Sequence, residues 1–282
     1  MTESVAVPRD DAPDLILHHL GGRGEQPLLI SHATGFHGRC YEEMASHLSD
    51  RWSVWALDYR GHGMSRATDE PLADWQPFAR DALTAARHIA PDGGLVAFGH
   101  SMGGAAVLMA HLIDPAAFSQ LVAFEPIAPP PTEGMNPDDL PIAQGAMRRR
   151  PSFDSIEAAI ENYSAKRPMM AFTPRSLEAY VRHGMEETSD RGAVLRCVPT
   201  FEASVFRSAH TNHLWEKLPD INLPTTVISG VVETLQPSAF AAAVAERLPN
   251  GTLRLRPDLD HFGPFVEPES CAVLVDDILS DG

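Results

Sequence analysis

Short apolar runs alternate along the chain with longer segments of helical periodicity. Seven apolar runs predict β-strands over residues 15–17, 27–31, 52–57, 95–98, 121–124, 225–229 and 252–255. Helical patterns follow most of them, over residues 41–48, 74–89, 103–113, 238–248 and 267–279. Strands that are apolar throughout are typical of a parallel sheet covered on both faces, and strand–helix alternation implies right-handed crossovers. The pattern therefore predicts an α/β fold with a doubly wound, mostly parallel sheet.

This alternation stops between residues 127 and 224. The break begins with a cluster of prolines at positions 126, 129, 130 and 131. Amphipathic helical stretches follow over residues 155–166 and 175–185, and no strand-like alternation is visible. We therefore predict an α/β core formed by residues 1–126 and 225–282, with a helical cap inserted as residues 127–224.

Composition narrows the class of protein. The 282 residues are 44% hydrophobic and 21% charged, which excludes a disordered chain, a fibre and a coiled coil. The net charge of −16 disfavours binding to nucleic acid or to an anionic membrane surface. Oligomeric state leaves no signal in the sequence.

The cysteines and the N-terminus bear on the compartment. The three cysteines show no pairing or metal-binding spacing, which favours free thiols in a reducing environment. Residues 1–14 contain acidic side chains and no apolar segment of a secretory signal. The most apolar window, residues 95–113, includes two histidines and is typical of a buried strand–turn–helix. We therefore expect a cytoplasmic protein.

The strongest chemical signal is the sequence Gly99-His100-Ser101-Met102-Gly103. It matches Gly-x-Ser-x-Gly and lies between a predicted strand and a predicted helix, as a nucleophile elbow requires. Small residues on both sides of the serine allow the strand and the helix to approach closely. A helix N-terminus also favours a developing negative charge. We predict that Ser101 is a nucleophile.

A serine hydroxyl needs a base, and the chain contains 13 histidines. An elbow serine is followed along the chain by an acid and then by a histidine after the last strand. His261 fits this order, because it follows the strand predicted over residues 252–255 and precedes a Gly-Pro turn. We predict that His261 is the general base. The pair His210 and His213 lacks the further ligands that a metal site needs.

The acid that orients the base has two candidates. Glu233 is the one carboxylate in the segment Gly230–Glu233 that follows the strand over residues 225–229, and it is the first choice. Glu125, in the sequence Phe124-Glu125-Pro126 at the end of the preceding strand, is the alternative. Asp260 adjoins the base in sequence, and we expect it to point away from the ring into solvent.

An acyl intermediate also needs hydrogen-bond donors for its oxyanion. The backbone N–H of Met102, directly after the nucleophile, is the first predicted donor. The second is expected in the loop that follows the strand over residues 27–31. We predict the backbone N–H of Thr34 by its position in this loop, although a plain strand-to-helix turn would also account for Gly35.

These motifs resemble the α/β-hydrolase superfamily along nearly the whole chain. The pieces that carry the resemblance are His32-Ala33-Thr34-Gly35-Phe36, Asp58 to Ser65, Gly99 to Gly104, Gly230 to Glu233, and Asp260-His261-Phe262. The resemblance implies an eight-stranded, mostly parallel sheet with a helical cap after the sixth strand. Two positions depart from the superfamily pattern: Ala33 replaces the usual glycine, and the acid is glutamate rather than aspartate.

The resemblance also narrows the expected reaction. Haloalkane dehalogenases and epoxide hydrolases of similar fold carry aspartate at the elbow, so Ser101 argues against both. Carbon–carbon hydrolases usually have asparagine where His100 stands. We expect a serine hydrolase of the carboxylesterase or lactonase type, acting on a small ester, thioester or lactone without metal or organic cofactor. A carbon–carbon hydrolase, a cofactor-free perhydrolase or haloperoxidase, and a non-catalytic ligand-binding protein of this fold are the alternatives.

Overall fold

The strands predicted from the apolar runs pair into one large sheet. The computed structural model describes residues 3–9, 12–67, 72–131, 134, 136–190, 192–233 and 236–280. In these residues the sheet has eight strands, in the spatial order β1-β2-β4-β3-β5-β6-β10-β11. Their bounds are β1 Glu3–Val7, β2 Leu15–Gly21, β3 Gln26–Ser31, β4 Trp52–Asp58, β5 Leu95–His100, β6 Phe118–Phe124, β10 Thr225–Ser229 and β11 Gly251–Leu255.

Strand directions confirm the predicted fold class. Strand β2 pairs antiparallel with β1 and with β4, and the remaining neighbours, from β4 to β11, are parallel. The strand predictions did not include β1. This edge strand contains the short apolar run Val5-Ala6-Val7, of which Val7 alone is buried.

Helices cover both faces of the sheet. Their bounds are α1 Glu42–Ala45, α2 Gln76–Ile89, α3 Met102–Ile113, α4 Pro141–Met147, α5 Ile156–Ser164, α6 Pro174–Gly184, α7 Pro199–Ser208, α8 Leu214–Lys217, α9 Ser238–Arg247, α10 Gly263–Val266 and α11 Pro268–Ser280. Helices α2, α3 and α9 pack on the face that carries Leu29, whereas α1, α10 and α11 pack on the face that carries Leu28 and Ile30. This alternation along β3 accounts for its continuous apolar run, because both faces are buried.

The segment between β6 and β10 contains more than helices. Helices α4 to α8 lie in it together with a small antiparallel sheet of order β7-β9-β8, formed by β7 Ser152–Phe153, β8 Met185–Thr188 and β9 Gly192–Leu195. The expectation of a purely helical segment was therefore wrong. Strands of two to four residues are too short to show a period of two. The assignment of residues 127–224 as a separate cap stays a prediction.

The 127–224 segment is hydrogen-bonded to α1, to α10 and to the residue before α2. Ser176 Oγ donates a hydrogen bond to Glu43 at 2.9 Å, and the Thr173 amide donates to the Phe265 carbonyl at 3.0 Å. Trp75 Nε1 of the core donates to the Val205 carbonyl at 3.0 Å. These bonds join the segment to both sides of the core.

A buried carboxylate ties α2 to the loop that follows β4. Asp81 is fully buried, and its Oδ1 accepts from Arg9 Nη1 and from Arg60 Nη2, both at 2.6 Å. Its Oδ2 accepts from Arg60 Nε at 2.9 Å and from the Arg60 amide at 3.2 Å. Both guanidinium groups are almost completely buried, and both share the negative charge of Asp81.

We expect Asp81→Asn to lower the free energy of unfolding by about 3–5 kcal/mol, because it removes the buried negative charge that the Arg9 and Arg60 guanidinium groups share. Urea denaturation followed by circular dichroism measures this loss. Asp114→Asn is the matched control, since it breaks the partly exposed pair with Arg87 and should destabilise the protein far less. Equal losses in the two variants would contradict the role assigned to Asp81.

Candidate active site

Ser101 is held in a strained backbone conformation between β5 and α3. Its φ and ψ angles are 56° and −117°, a region that residues with a side chain rarely adopt. The surrounding backbone enforces this turn. The Ser101 amide donates to the Phe124 carbonyl at 2.9 Å, and the Ser101 carbonyl accepts from the Ile127 amide at 3.2 Å. The predicted strand–turn–helix is thus present at this position.

Glycines on each side of Ser101 permit this tight turn. A Cβ atom on Gly99 would lie 2.6 Å from the Cα of Gly104, and a Cβ atom on Gly103 would lie 2.1 Å from the carbonyl oxygen of Ser31. Both distances are shorter than real Cβ contacts, and both obstacles are backbone atoms. Helix α3 can therefore approach β3 and β5 only because these positions lack a side chain.

His261 lies in the turn between β11 and α10, close to the end of β6. Its Nδ1 donates to Oε2 of Glu125 at 2.6 Å. The turn is shaped by Asp260, whose side chain accepts from the Phe262 amide at 2.8 Å and whose carbonyl accepts from the Gly263 amide at 3.0 Å. Asp260 is exposed, as the sequence analysis expected. With Nδ1 engaged, Nε2 is the ring nitrogen that remains for proton exchange with a hydroxyl group.

Ser101 Oγ makes no hydrogen bond to any residue within the described ranges. Ser101 and His261 are therefore not hydrogen-bonded to each other in this structure. Serine and base often align fully only when substrate is bound. Ser101 is 7% exposed, and the His261 side chain is 15% exposed. Both side chains are therefore close to the surface of the core rather than sealed inside it.

The carboxylate that meets His261 belongs to Glu125, the alternative acid, and not to Glu233. Glu125 is fully buried directly after β6, and its second oxygen accepts from the Gly230 amide at 2.8 Å. Glu233 is exposed, and its amide donates to Ser238 Oγ at 3.1 Å. Of the residues that the structure describes, none forms a hydrogen bond or ion pair with the Glu233 carboxylate. The pairing first expected between Glu233 and His261 is therefore corrected.

A second backbone constraint shows how Glu125 reaches the histidine. Its φ angle is 46°, an uncommon value for a residue other than glycine. This conformation turns the chain at the end of β6, while the Glu125 amide still donates to the Ile228 carbonyl at 3.0 Å. The signal available in the sequence was an acidic residue immediately after a buried strand and before a proline.

The loop after β3 contains the second predicted oxyanion donor. The Ala33 amide donates to Tyr41 Oη at 3.3 Å, and the Phe36 amide donates to the Ala33 carbonyl at 3.1 Å. In contrast, the Thr34 amide has no acceptor among the described residues. The Met102 amide is at the first position of α3, where helix amides lack intrahelical partners. Both predicted donors are therefore available to a ligand.

His32 holds this loop in place through hydrogen bonds of both its ring nitrogens. Its Nε2 accepts from the Tyr59 amide at 2.9 Å, and its Nδ1 donates to the Ala33 carbonyl at 2.8 Å. Burial, followed by the nearby His62, lowers the pKa of His32 well below its usual value. The ring is thus neutral, as a side chain that both donates and accepts must be.

A cavity of about 400 Å³ opens beside His261. Three segments form its wall: the chain between α5 and α6, the segment after β10 and the turn after β11. The lining residues are Arg167, Pro168, Met170, Ala171, Val231, Glu233, Gln236, Ser238, Asp260, His261 and Phe262. Polar and apolar side chains share this lining about equally, so the cavity suits a small molecule with polar groups.

Neither a metal-binding cluster nor an exposed thiol occurs in the described parts of the chain. There, no group of three or more His, Cys, Asp or Glu side chains is arranged to hold a metal ion. Cys40, Cys197 and Cys271 are buried free thiols, and burial raises the pKa of each. No helix within the described residues combines the length and the apolar character needed to cross a membrane.

Comparison with known proteins agrees with this architecture. The model of the alpha/beta hydrolase family matches residues 28–274. That match spans most of the sheet, the elbow and the His261 turn. The chain belongs to the alpha/beta hydrolase family, a family of hydrolases.

Individual relatives cover the chain to different extents. A monoglyceride lipase from Mus musculus is 35% identical over 104 residues, 36% of this chain and 34% of that protein. The match thus spans about a third of the length of that lipase. A 2-(acetamidomethylene)succinate hydrolase from Mesorhizobium japonicum is 26% identical over 264 residues, 88% of this chain and 86% of that protein. A crystal structure of E-2-(acetamidomethylene)succinate hydrolase superposes with a TM-score of 0.83 at 21% identity, covering 99% of this chain and 100% of that chain.

The two glutamates differ in what their removal should do. We expect Glu125→Gln to slow the reaction of Ser101 with a fluorophosphonate probe on the order of 10²- to 10⁴-fold, because an amide cannot stabilise the imidazolium cation. Glu233→Gln is the matched control and should react like the wild type. Gel-based labelling time courses give both rates. Slow labelling of Glu233→Gln with normal labelling of Glu125→Gln would restore the first assignment.

Proposed function

We propose that this protein is a serine hydrolase that cleaves a small carboxylic ester, thioester or lactone through an acyl-enzyme. The observation that carries the proposal is the 2.6 Å bond from His261 Nδ1 to the buried Glu125, next to the strained turn at Ser101. Membership in a family of hydrolases supports it. The proposed triad is Ser101, His261 and Glu125.

In the acylation step, His261 Nε2 takes the proton of Ser101 Oγ while Oγ forms a bond to the substrate carbonyl carbon. The carbonyl π electrons move onto oxygen, and the amides of Met102 and Thr34 donate hydrogen bonds to this oxyanion. When the oxyanion collapses, the bond to the leaving group breaks. The imidazolium of His261 then gives its proton to the departing oxygen or sulfur atom.

Deacylation reverses these roles with water. His261 removes a proton from a water molecule, whose oxygen attacks the acyl carbon. Collapse of the second oxyanion releases the carboxylic acid and returns the proton to Ser101. Glu125 keeps the imidazole in one orientation and stabilises its cation in both steps, while the Gly230 amide holds the carboxylate in place.

The lining of the cavity supports a small and partly polar substrate. Its volume of about 400 Å³ is at the low end of the range for small-molecule pockets. Side chains such as Arg167, Gln236 and Asp260 interrupt the apolar surface that a long acyl chain would need. Short-chain esters are therefore the substrates that fit this wall best.

We expect the wild type to hydrolyse p-nitrophenyl acetate or butyrate faster than the octanoate, and Ser101→Ala to lose on the order of 10³- to 10⁶-fold in turnover. The measurement follows the release of p-nitrophenol at 405 nm, with about 1 mM ester, the upper end of the usual range of KM values. Ser204→Ala, on a cap-segment helix, controls for loss of a hydroxyl elsewhere. Equal activity in Ser101→Ala and wild type would rule out Ser101 as nucleophile.

A second candidate is an acyl substrate that carries a carboxylate. The relative matched over most of the chain is named for hydrolysis of a succinate derivative. Arg167 supports this candidate, since it lines the cavity without an ion-pair partner in the described residues. Glu233 and Asp260 line the same cavity, and their negative charges disfavour a substrate that carries a carboxylate.

The effect of substrate charge separates the two candidates. If Arg167 binds a carboxylate, Arg167→Met should raise KM for p-nitrophenyl hemisuccinate about 10-fold, the loss of one exposed charge-assisted contact. The KM for p-nitrophenyl acetate should stay unchanged. Arg175→Met is the control, because Arg175 lies on α6 and bonds Ser46 outside the cavity. Equal changes in KM for the two esters would contradict a substrate that carries a carboxylate and would leave a neutral ester as the proposed substrate.

A further inference from the structure

His100, the last residue of β5, is hydrogen-bonded at both ring nitrogens. Its side chain is fully buried next to Ser101. Nδ1 lies 2.8 Å from Tyr41 Oη, and Nε2 lies 2.9 Å from the backbone carbonyl oxygen of His261. Neither His100 nor Tyr41 has a role in the reaction proposed above.

The direction of each bond follows from the partners. A carbonyl oxygen only accepts, so His100 Nε2 carries the proton and donates to His261. Nδ1 then has a free lone pair and accepts from the Tyr41 hydroxyl. The oxygen of Tyr41 in turn accepts from the Ala33 amide at 3.3 Å. One chain of hydrogen bonds, all pointing the same way, therefore runs from Ala33 through Tyr41 and His100 to His261.

Burial, reinforced by the nearby His261, lowers the pKa of His100 well below its usual value. The neutral ring is the form that the chain needs, because a protonated ring would donate at both nitrogens and lose the bond from Tyr41. Tyr41 is also fully buried, and burial raises the pKa of its hydroxyl. The hydrogen-bond chain thus keeps each of its protons on the same donor atom at neutral pH.

The two ends of this chain belong to opposite parts of the proposed machinery. Ala33 directly precedes Thr34, whose amide is the second proposed oxyanion donor. His261 is the proposed base. Strands β3 and β11, which lead into these two loops, are separated in the sheet by β5, β6 and β10.

We propose that Tyr41 and His100 are positioning residues that set the placement of the oxyanion loop relative to the general base. The inference rests on the proposed serine-hydrolase function. Aromatic packing also joins the two loops, with Phe36 stacked on Phe265 at 4.7 Å between ring centroids. Such apolar contacts tolerate sliding, whereas a directed hydrogen-bond chain holds atoms at defined distances.

The variant Tyr41→Phe removes one oxygen atom and breaks the chain at its centre. Because small misplacements of reacting groups are costly, we expect kcat to fall about 10- to 100-fold with little change in KM. Turnover should be expressed per site titrated with fluorophosphonate, so that only folded sites count. Tyr163→Phe is the matched control, since its hydroxyl accepts from Arg149 Nη2 at 3.1 Å outside this hydrogen-bond chain.

A second pair of variants tests His100 directly. The side-chain amide of His100→Gln can still donate to His261 and accept from Tyr41, whereas His100→Leu can do neither. We expect His100→Gln to retain more turnover per titrated site than His100→Leu. This comparison also decides the matter if Tyr41→Phe fails to fold.

The proposal is overturned if Tyr41→Phe and Tyr163→Phe lose the same turnover, or if His100→Gln and His100→Leu have equal turnover. A rise in KM without a fall in kcat would also overturn it, because it would indicate substrate binding rather than positioning. Failure of the proposed function looks different, since Ser101→Ala would then be as active as the wild type.

Discussion

The interlocked turns at Ser101 and Glu125 are the constraint on which the site depends. The Ser101 amide bonds the residue before Glu125, and the Ser101 carbonyl bonds the second residue after it. Each turn therefore holds the other in an uncommon backbone conformation that costs of order 1–3 kcal/mol. Because β5 and β6 are adjacent strands, a single stretch of paired backbone positions Ser101 and Glu125, the proposed nucleophile and the proposed acid, together.

The remaining parts of the site are attached to this pair from outside. His261 comes from the turn beyond the edge strand β11, and Glu125 and His100 bond its side chain and its backbone. Thr34 comes from the other side, on a loop that His32 and Tyr41 hold. The site is thus a rigid centre to which two loops are tied by hydrogen bonds. In the proposed mechanism, donors held in this way need no rearrangement when charge develops on the substrate.

Much of this fold could be predicted because its signals are local. Buried strands such as β3 and β5 contain continuous apolar runs, and the glycines around Ser101 mark the place where the helix backbone meets the strand backbone. The position of His261 in a turn after the last strand followed from its order along the chain and from its Gly-Pro turn, whereas its role as base stays a prediction. Strand β1 was not predicted because its apolar run is only three residues long and lies among exposed residues, and strands β7 to β9 because they are short.

The carboxylate that bonds His261 could not be chosen from sequence for a different reason. Glu125 and Glu233 both follow parallel strands, β6 and β10, that are neighbours in the sheet. The choice depends on which backbone turns toward the histidine, and a positive φ at a glutamate has no sequence signature. Likewise, the partners of His100 are 59 and 161 positions away in the chain, so nothing local indicates them.

The position of Glu125 has a consequence for how substrate preference can change. In the proposed triad the acid is on β6, so Val231 and Glu233, which line the cavity after β10, do not supply the carboxylate that bonds His261. Their side chains can therefore affect selectivity without taking part in the proposed proton transfers. The Val231 amide donates to the Leu259 carbonyl at 2.7 Å and ties this segment to the His261 turn, so we expect side-chain substitutions that keep this backbone bond to reshape the wall while the reacting groups stay in place. This segment is the natural starting point for directed evolution toward new substrates.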